Sequence, residues 1–349
     1  MPSKFHSSTH MLLASIVKNL GDTTMQKIFA LVRGIFLFFI STQLAAQPAD
    51  NFPDKPIRIV VASAAGGASD IVARMMADKL QQKFGQPVVV EAKPGANGNI
   101  AADFVAAAAP DGYTLMMGTI GVMAINSSLY KGVKFDPIKD FLPVARLVSF
   151  SNILVVRSTL PVNSVKELVE YVKARPDKVT YGSPGAGGSP HMAMVMFNQM
   201  AGLKLVHVPY KGAAPALTDL MGGQIDLAFS DPLLTSQHLS GGRIKALAVS
   251  GSKRLKSAPN IPTVAEAGIP GYAVSGWLGI VTPTNTPAPR IAKLNAAFNE
   301  VLAMPDIQAK LAEQGAETIP GTPQEFGDFI KNEYTRWRKV IADEKLSAD

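Results

Sequence analysis

The 349-residue chain has no cysteine, and only 17% of its residues are charged. The missing cysteine excludes disulfide staples, thiolate metal sites and cysteine nucleophiles. So few charges, beside 47% hydrophobic residues, exclude a disordered or solvating polypeptide. Glycine (29) and proline (25) follow no period, which removes a collagen-like fibre. Neither G-x-G-x-x-G nor a Walker loop occurs, so the usual nucleotide cradles are missing. There is no H-E-x-x-H, and beyond the amino end the only histidines are His191, His207 and His238, too few and too scattered for a metal cluster. No metal and no cofactor is therefore expected. The formal charge of +7 does not mark a nucleic-acid partner. Lys4, Lys18, Lys27 and Arg33 stand against Asp22 alone before Ala46, and the rest of the chain shows no basic stripe.

Long apolar runs are also scarce, and the one that stands out lies near the amino end. From Met25, basic Lys27 and Arg33 precede an apolar core from Gly34 to Ile40, then Ser41-Thr42-Gln43 and the small pair Ala45-Ala46. This is the order of a secretory signal, with a core too short to span a bilayer. The expectation is a signal segment over 1–46, cut after Ala46, with Met25 as an alternative start and a soluble, exported remainder. A chain without cysteine suits an oxidising compartment.

Beyond that segment, strand, loop and helix alternate. Ile57–Val61 reads as a strand, and Ser69 and Asp70 open a helix with apolar Ile71, Val72, Met75, Met76 and Leu80. Pro87–Val90 and Tyr113–Met117 read as further strands around an alanine-rich helix. A second unit of the same kind starts near residue 151, where Ser164 and Glu167 form a capping-box pattern. Ile225–Phe229 reads as one of its strands, and Gly276–Val281 as a strand returning to the first unit. The expectation is an α/β protein of two lobes, 47–150 plus 275–349 and 151–274, each with a mostly parallel sheet.

Two glycine loops carry the candidate chemistry. Ser63, Ala64, Ala65, Gly66 and Gly67 join the first strand to its helix. Ser183, Gly185, Gly187 and Ser189 do the same in the second unit, with His191 one turn on. A side-chain-free backbone at a helix N-terminus suits an anion. Ordinary strand-to-helix turns would look the same, and both readings stay open at this point. Thr119 and Gly121 form a third loop after the Tyr113–Met117 strand, and Asp231 follows a strand in the second unit. Catalysis finds little support: no G-x-S-x-G occurs, although Ser183 or Ser189 with His191 would be the pair a serine hydrolase used. Trp277 either lines a cleft or fills the crossing between lobes.

Several long motifs then settle a resemblance. Phe52–Thr119, DPIKDFLPVARL (136–147), YGSPGAGGSPH (181–191), VPYKGAAPALTDLMGGQIDLAFSD (208–231) and IKALAVSGSKRLKSAPNIPTVAEAGIPGY (244–272) together resemble the Bug-type extracytoplasmic receptors of tripartite tricarboxylate transport. The resemblance implies a two-lobed periplasmic binding protein of type II topology that closes over its ligand in a cleft between the lobes. It implies no enzymatic activity, a monomer, and a small carboxylate ligand, aromatic and amino acids included, delivered to one large and one small integral membrane permease subunit. An orphan sensor docking on a signalling protein is the alternative. The family grips a carboxylate through the first glycine loop, here Ser63 to Gly67 with Ser69 and Asp70. Where the family commonly has a hydroxyl, an imidazole and a proline, this chain has Val122, Met123 and Ser127. That is expected to make the distal pocket more apolar.

Overall fold

The computed structural model describes residues 51–348, leaving out 64, 65, 211 and 314, and without the side chains of Leu233, Ser236 and Gln237. The expected signal segment lies outside the described residues. No helix among the described residues is long and apolar enough to cross a membrane.

Two sheets organise the chain. The first runs in the order β11-β4-β10-β3-β1-β2, with β1 Ile57–Val61, β2 Val88–Ala92, β3 Thr114–Thr119, β4 Phe141–Phe150, β10 Gly276–Pro283 and β11 Ala316–Thr318. The second runs β7-β6-β8-β5-β9, with β5 Ile153–Arg157, β6 Thr180–Ser183, β7 Val206–Pro209, β8 Leu227–Ser230 and β9 Ile244–Val249. β1 pairs in parallel with β2 and β3, through Ile57↔Val88 and Ile59↔Leu115. β10 is antiparallel to both its neighbours, β3 and β4. Every residue of β10 is buried, as befits a strand covered on both faces.

β4 is the strand that the sequence pattern conceals. Pro143 interrupts it, and proline is excluded from the middle of a fully paired strand. The structure accommodates Pro143 because β11 pairs only with residues 148–150, so β4 is an edge at residue 143. A register irregularity lies opposite, between Ile280 and Val281. Asp226, expected inside a strand, instead precedes β8. Its carboxylate binds Arg157 Nε at 2.9 Å and accepts the Thr180 N–H at 2.9 Å.

The helices between strands are α1 Ala68–Phe84, α2 Asn99–Ala106, the short α3 Asn126–Leu129, α4 Val165–Lys173, α5 Ser189–Ala201, α6 Ala213–Met221 and α7 Pro232–Ser240. After β10 come α8 Ala288–Leu302, α9 Pro305–Glu313 and α10 Pro323–Asp343. The capping box expected at Ser164 is half formed. Ser164 Oγ accepts the Glu167 N–H at 3.1 Å, but the Glu167 carboxylate reaches one residue further back, to the Asn163 N–H. The complete box sits at Thr322–Glu325, ahead of α10, where each side chain accepts the other's backbone N–H. Its removal in Thr322→Ala should lower stability by about 1 kcal/mol, read as a shift in urea midpoint with unchanged slope. No shift would mean that packing of Phe326, Ile330 and Trp337 alone holds the helix start.

Trp277 fills the first lobe rather than the cleft. It is 1% exposed and meets the rings of Phe326 and Phe329 edge-on at 5.7 and 5.4 Å. Its indole N–H and that of Trp337 both donate to Glu333.

Two chain crossings join the sheets, from β4 to β5 and from β9 to β10, and buried Ser250 ties them. Asn152 donates its N–H to Ser250 Oγ, the Ser250 N–H returns to Asn152 O, and Ser250 Oγ donates to Val274 O at 2.7 Å. A Cβ on Gly251 would collide with Ser151 Oγ, so these crossings pack at backbone distance.

Candidate functional site between the glycine loops

The loop after β1 ends at Gly67, the N-cap of α1, and Gly66 takes φ +81°, a conformation favourable only to glycine. Asp70, 2% exposed, folds back to accept the Gly66 N–H at 3.0 Å and pairs with Arg74 at 3.0 Å. Its hydrogen bonds to the Arg74 guanidinium, above all, and to the Gly66 N–H hold its carboxyl below the usual carboxylate range. Asp70 thus holds the turn. Ser63 Oγ and Ser69 Oγ lie 2.6 Å apart, tying the loop entrance to the first helical turn. Ala64 and Ala65 lie outside the described residues.

The second loop enters α5 through Gly185 (φ +138°), Gly187 (φ +83°) and the N-cap Gly188. Its serines and histidine are arranged differently from the hydrolase expectation. Ser183 lies 2.7 Å from Nε2 of His207, not of His191, and donates to Gly185 O at 3.1 Å. His191 instead accepts the Gly187 N–H on Nδ1 at 3.2 Å. Ser189 is 3.4 Å from Asn152 Nδ2. Tyr181, His207 and His191 stack, with centroids 4.7 Å apart for the first pair and 4.3 Å for the second. Burial brings His191 down to about 3, helped by the adjacent His207, and burial alone brings His207 to about 4. Both imidazoles are therefore neutral at pH 7. Neither has a carboxylate hydrogen-bond partner among the described residues, so the third, orienting member of a hydrolytic triad is missing there.

The third loop expected at Thr119–Gly121 is not a loop: Thr119 ends β3, and Gly121 opens a helical segment that runs to Ile125. Thr119 Oγ1 accepts the Val122 N–H at 3.3 Å, and Gly121 is buried. Asn126, wholly buried, donates to Asn97 O and to Asn99 Oδ1, and accepts from Asn97 Nδ2 at 2.9 Å. Asn97 is the residue that sequence reasoning missed. A Cβ on Gly121 or on Gly187 would stand 2.8 Å from its amide nitrogen, so loops from both lobes converge on it. The available signal was an asparagine inside the glycine-rich turn 94–98, where φ +49° is a conformation asparagine tolerates. Tyr130 Oη donates across the cleft to Ala186 O at 3.0 Å, so the lobes are shut upon each other here. Asp231 stays at the end of β8, its carbonyl accepting from Thr235 of α7.

Of the three substitutions expected to make the distal pocket more apolar, Val122 stands by the first loop. It abuts Ala62 and Gly98, whose Cβ position lies 2.6 Å from Val122 Cγ2. Met123 turns the other way. It packs on Gly118 and lines a small cavity with Phe141 and Ile330 on the side of α10.

Glycine loops that open helices in two lobes, the second packed against Asn97, Asn126 and Leu129 of the first lobe, form the arrangement of a ligand-capturing protein. The family description "Tripartite tricarboxylate transporter family receptor" matches residues 72–346, and the chain belongs to that family. It is 33% identical over 308 residues to Protein BugT of Bordetella pertussis, covering 87% of this chain and 94% of the relative. An adipate-bound protein of R. palustris superposes with a TM-score of 0.78 at 36% identity, covering 83% of this chain and 97% of that one. MatC from Rhodopseudomonas palustris with bound malate gives 0.76 at 33%, covering 83% and 100%. The fold is accordingly the two-lobed periplasmic binding fold of type II, and the chain is a periplasmic receptor, not an enzyme.

Proposed function

We propose that this receptor captures a small dicarboxylate between its glycine loops and delivers it to a membrane permease of one large and one small integral subunit. The observation that supports the reading is that the loops opening α1 and α5 both approach the turn at Asn97 and Gly98, the first through Ala62 and the second through Gly187. Each offers backbone donors and a partial positive charge to an anion. Two relatives of the same fold hold adipate and malate, both compact dianions with a carboxylate at either end. Ser63, Ala64, Ala65, Gly66, Gly67, Ser69 and Asp70 would form one grip, with Asp70 setting the turn. Thr119, Gly121, Ser183, Gly185, Gly187, Ser189, His191 and Asp231 would complete the site. We place the lobe boundaries at 150/151 and 274/275, within the hinge crossings.

Calorimetry with adipate, malate and their dimethyl esters tests the reading. The free acids should bind at one to one and the esters should not. Gly66→Val should abolish binding, because φ +81° strains any branched residue. Its Cβ would meet nothing within 4 Å, so the fold should persist. Esters that bind as tightly as the acids, or full affinity in a folded Gly66→Val protein, would overturn the assignment. Uptake in cells carrying or lacking the permease pair tests delivery.

A further inference from the structure

Behind the hinge, on the far side from the glycine loops, lies a cavity of about 840 Å³. The strand orders place it there. The loops leave β1, β3 and β6, whereas the cavity is walled by β4 and β11, which lie beyond β10 in the first sheet, and by the segment after β9, the far edge strand of the second. Ser151 and Ser275, at the hinge crossings, line it.

Its chemistry is cationic. Lys253 and Lys256 are exposed on its wall, with no ion pair among the described residues. Arg254 beside them is already paired with Glu266. Arg146 contributes a guanidinium stacked 3.5 Å from the Phe329 ring centroid, and its Nε is buried without a hydrogen-bond partner. Unpaired exposed lysines are ordinary, but an orphaned buried guanidinium nitrogen is not. Among the described residues Glu317 is the one carboxylate on the wall, and Glu333 of α10 lies near enough to Arg146 to act on its charge. The serines at 151, 252 and 275 add hydroxyls, the complement that phosphate or carboxylate oxygens accept from, whereas Ser149 already donates to Gly276 O. The volume suits a small molecule larger than a single phosphate.

We propose that this groove is a second ligand site, which takes a small polyanion and, when occupied, holds the lobes shut. The sign follows from the hinge. Rotation that opens the cleft on one side of Ser151 and Ser275 narrows the groove on the other, so an occupant that fills the groove opposes opening. Coupling is reciprocal: whatever closes the cleft tightens the groove site, by roughly 5- to 150-fold if the coupling is of ordinary size. Only this second half rests on closure of the cleft over a ligand.

The test uses tripolyphosphate and 1,2,3,4-butanetetracarboxylate as probes, titrated by calorimetry at matched ionic strength. At least one should bind saturably at one to one, and which one binds names the oxyanion. Lys253→Gln/Lys256→Gln, which changes only exposed side chains, should weaken it roughly 10-fold or more. Arg146→Met, checked for folding, should do the same. Gly66→Val should leave probe binding intact, so a failed cleft reading and a failed groove are told apart. Because the chain lacks cysteine, Gln82→Cys and Lys166→Cys take spin labels cleanly, one in each lobe. Saturating probe should narrow the interlobe distance distribution in the wild-type background and not in the double-glutamine variant. Probe binding that the double variant shares, no saturable binding of either probe, or an unchanged distribution at saturation overturns the proposal.

Discussion

Lowering the pH from 7 to 5 should remove about 3 kcal/mol of folding stability through two side chains, His191 and, discounted for its partial exposure, His207. Both are neutral in the folded protein, held to about 3 and about 4 against an ordinary value of 6.5. Between those values and 6.5 the unfolded chain binds protons that the folded chain refuses. Stability is therefore fully present above 6.5 and falls as the pH drops, until the folded values are reached. His191 contributes about 1.4 kcal/mol per pH unit over that window, or about 2 kcal/mol by pH 5, and the partly exposed His207 about half as much. Against a total of roughly 5–15 kcal/mol, this is a large fraction. Depressed carboxylates such as Asp70 act at lower pH and do not confuse the reading. Urea unfolding at pH 7, 6 and 5 measures it, and His207→Gln should remove about a third of the loss. Midpoints that stay constant over this range would show that the imidazoles are hydrated in the folded state.

The second large effect is expected at Gly187. A Cβ there would stand 2.8 Å from Asn97 Nδ2, 3.0 Å from Leu129 Cδ2 and 3.3 Å from Asn126 Oδ1. All three atoms belong to the other lobe, and φ is +83°. Valine at this position is a wedge in the cleft, while the interior of each lobe is untouched. The closed arrangement should become a minor state, and apparent affinity falls by the fraction that remains competent. We expect roughly 100-fold weaker binding of whichever dicarboxylate the wild-type chain takes up, with Gly187→Ala intermediate. Solution scattering should show the valine variant no more compact with ligand than without it. A Gly187→Val protein that binds normally and compacts on binding would mean that the loops do not meet when the ligand is held.

The sequence displayed the glycine loops because each interrupts a strong alternation of strand and helix. It displayed β1 at its observed ends because Ile57–Val61 is a short, almost wholly apolar run. It hid β4, since Pro143 argues against a paired strand until the short reach of β11 is known. It also hid the partner of Ser183. His191 is nearer in the chain, but His207 stands opposite Tyr181 in the β6–β7 register. Tyr181 and Ser183 point to the same face, so His207 covers both. The convergence on Asn97 depends on how two lobes meet, and no local pattern reports that.

The position of β10 also bears on the order in which the molecule can assemble. β3 and β4 have no hydrogen-bonded contact with each other, and both pair with β10, which arrives more than a hundred residues after β4. Until then β4 has no partner at all, since β11 comes later still. The second sheet, by contrast, is complete once β9 has emerged. A chain growing from its amino end can therefore finish the inserted lobe while the lobe that precedes it remains a three-stranded fragment with a detached, ten-residue β4. Such long-range pairing is slow and leaves an unpaired edge open to other chains. A truncation at residue 150 would yield an aggregating fragment rather than a small binding domain.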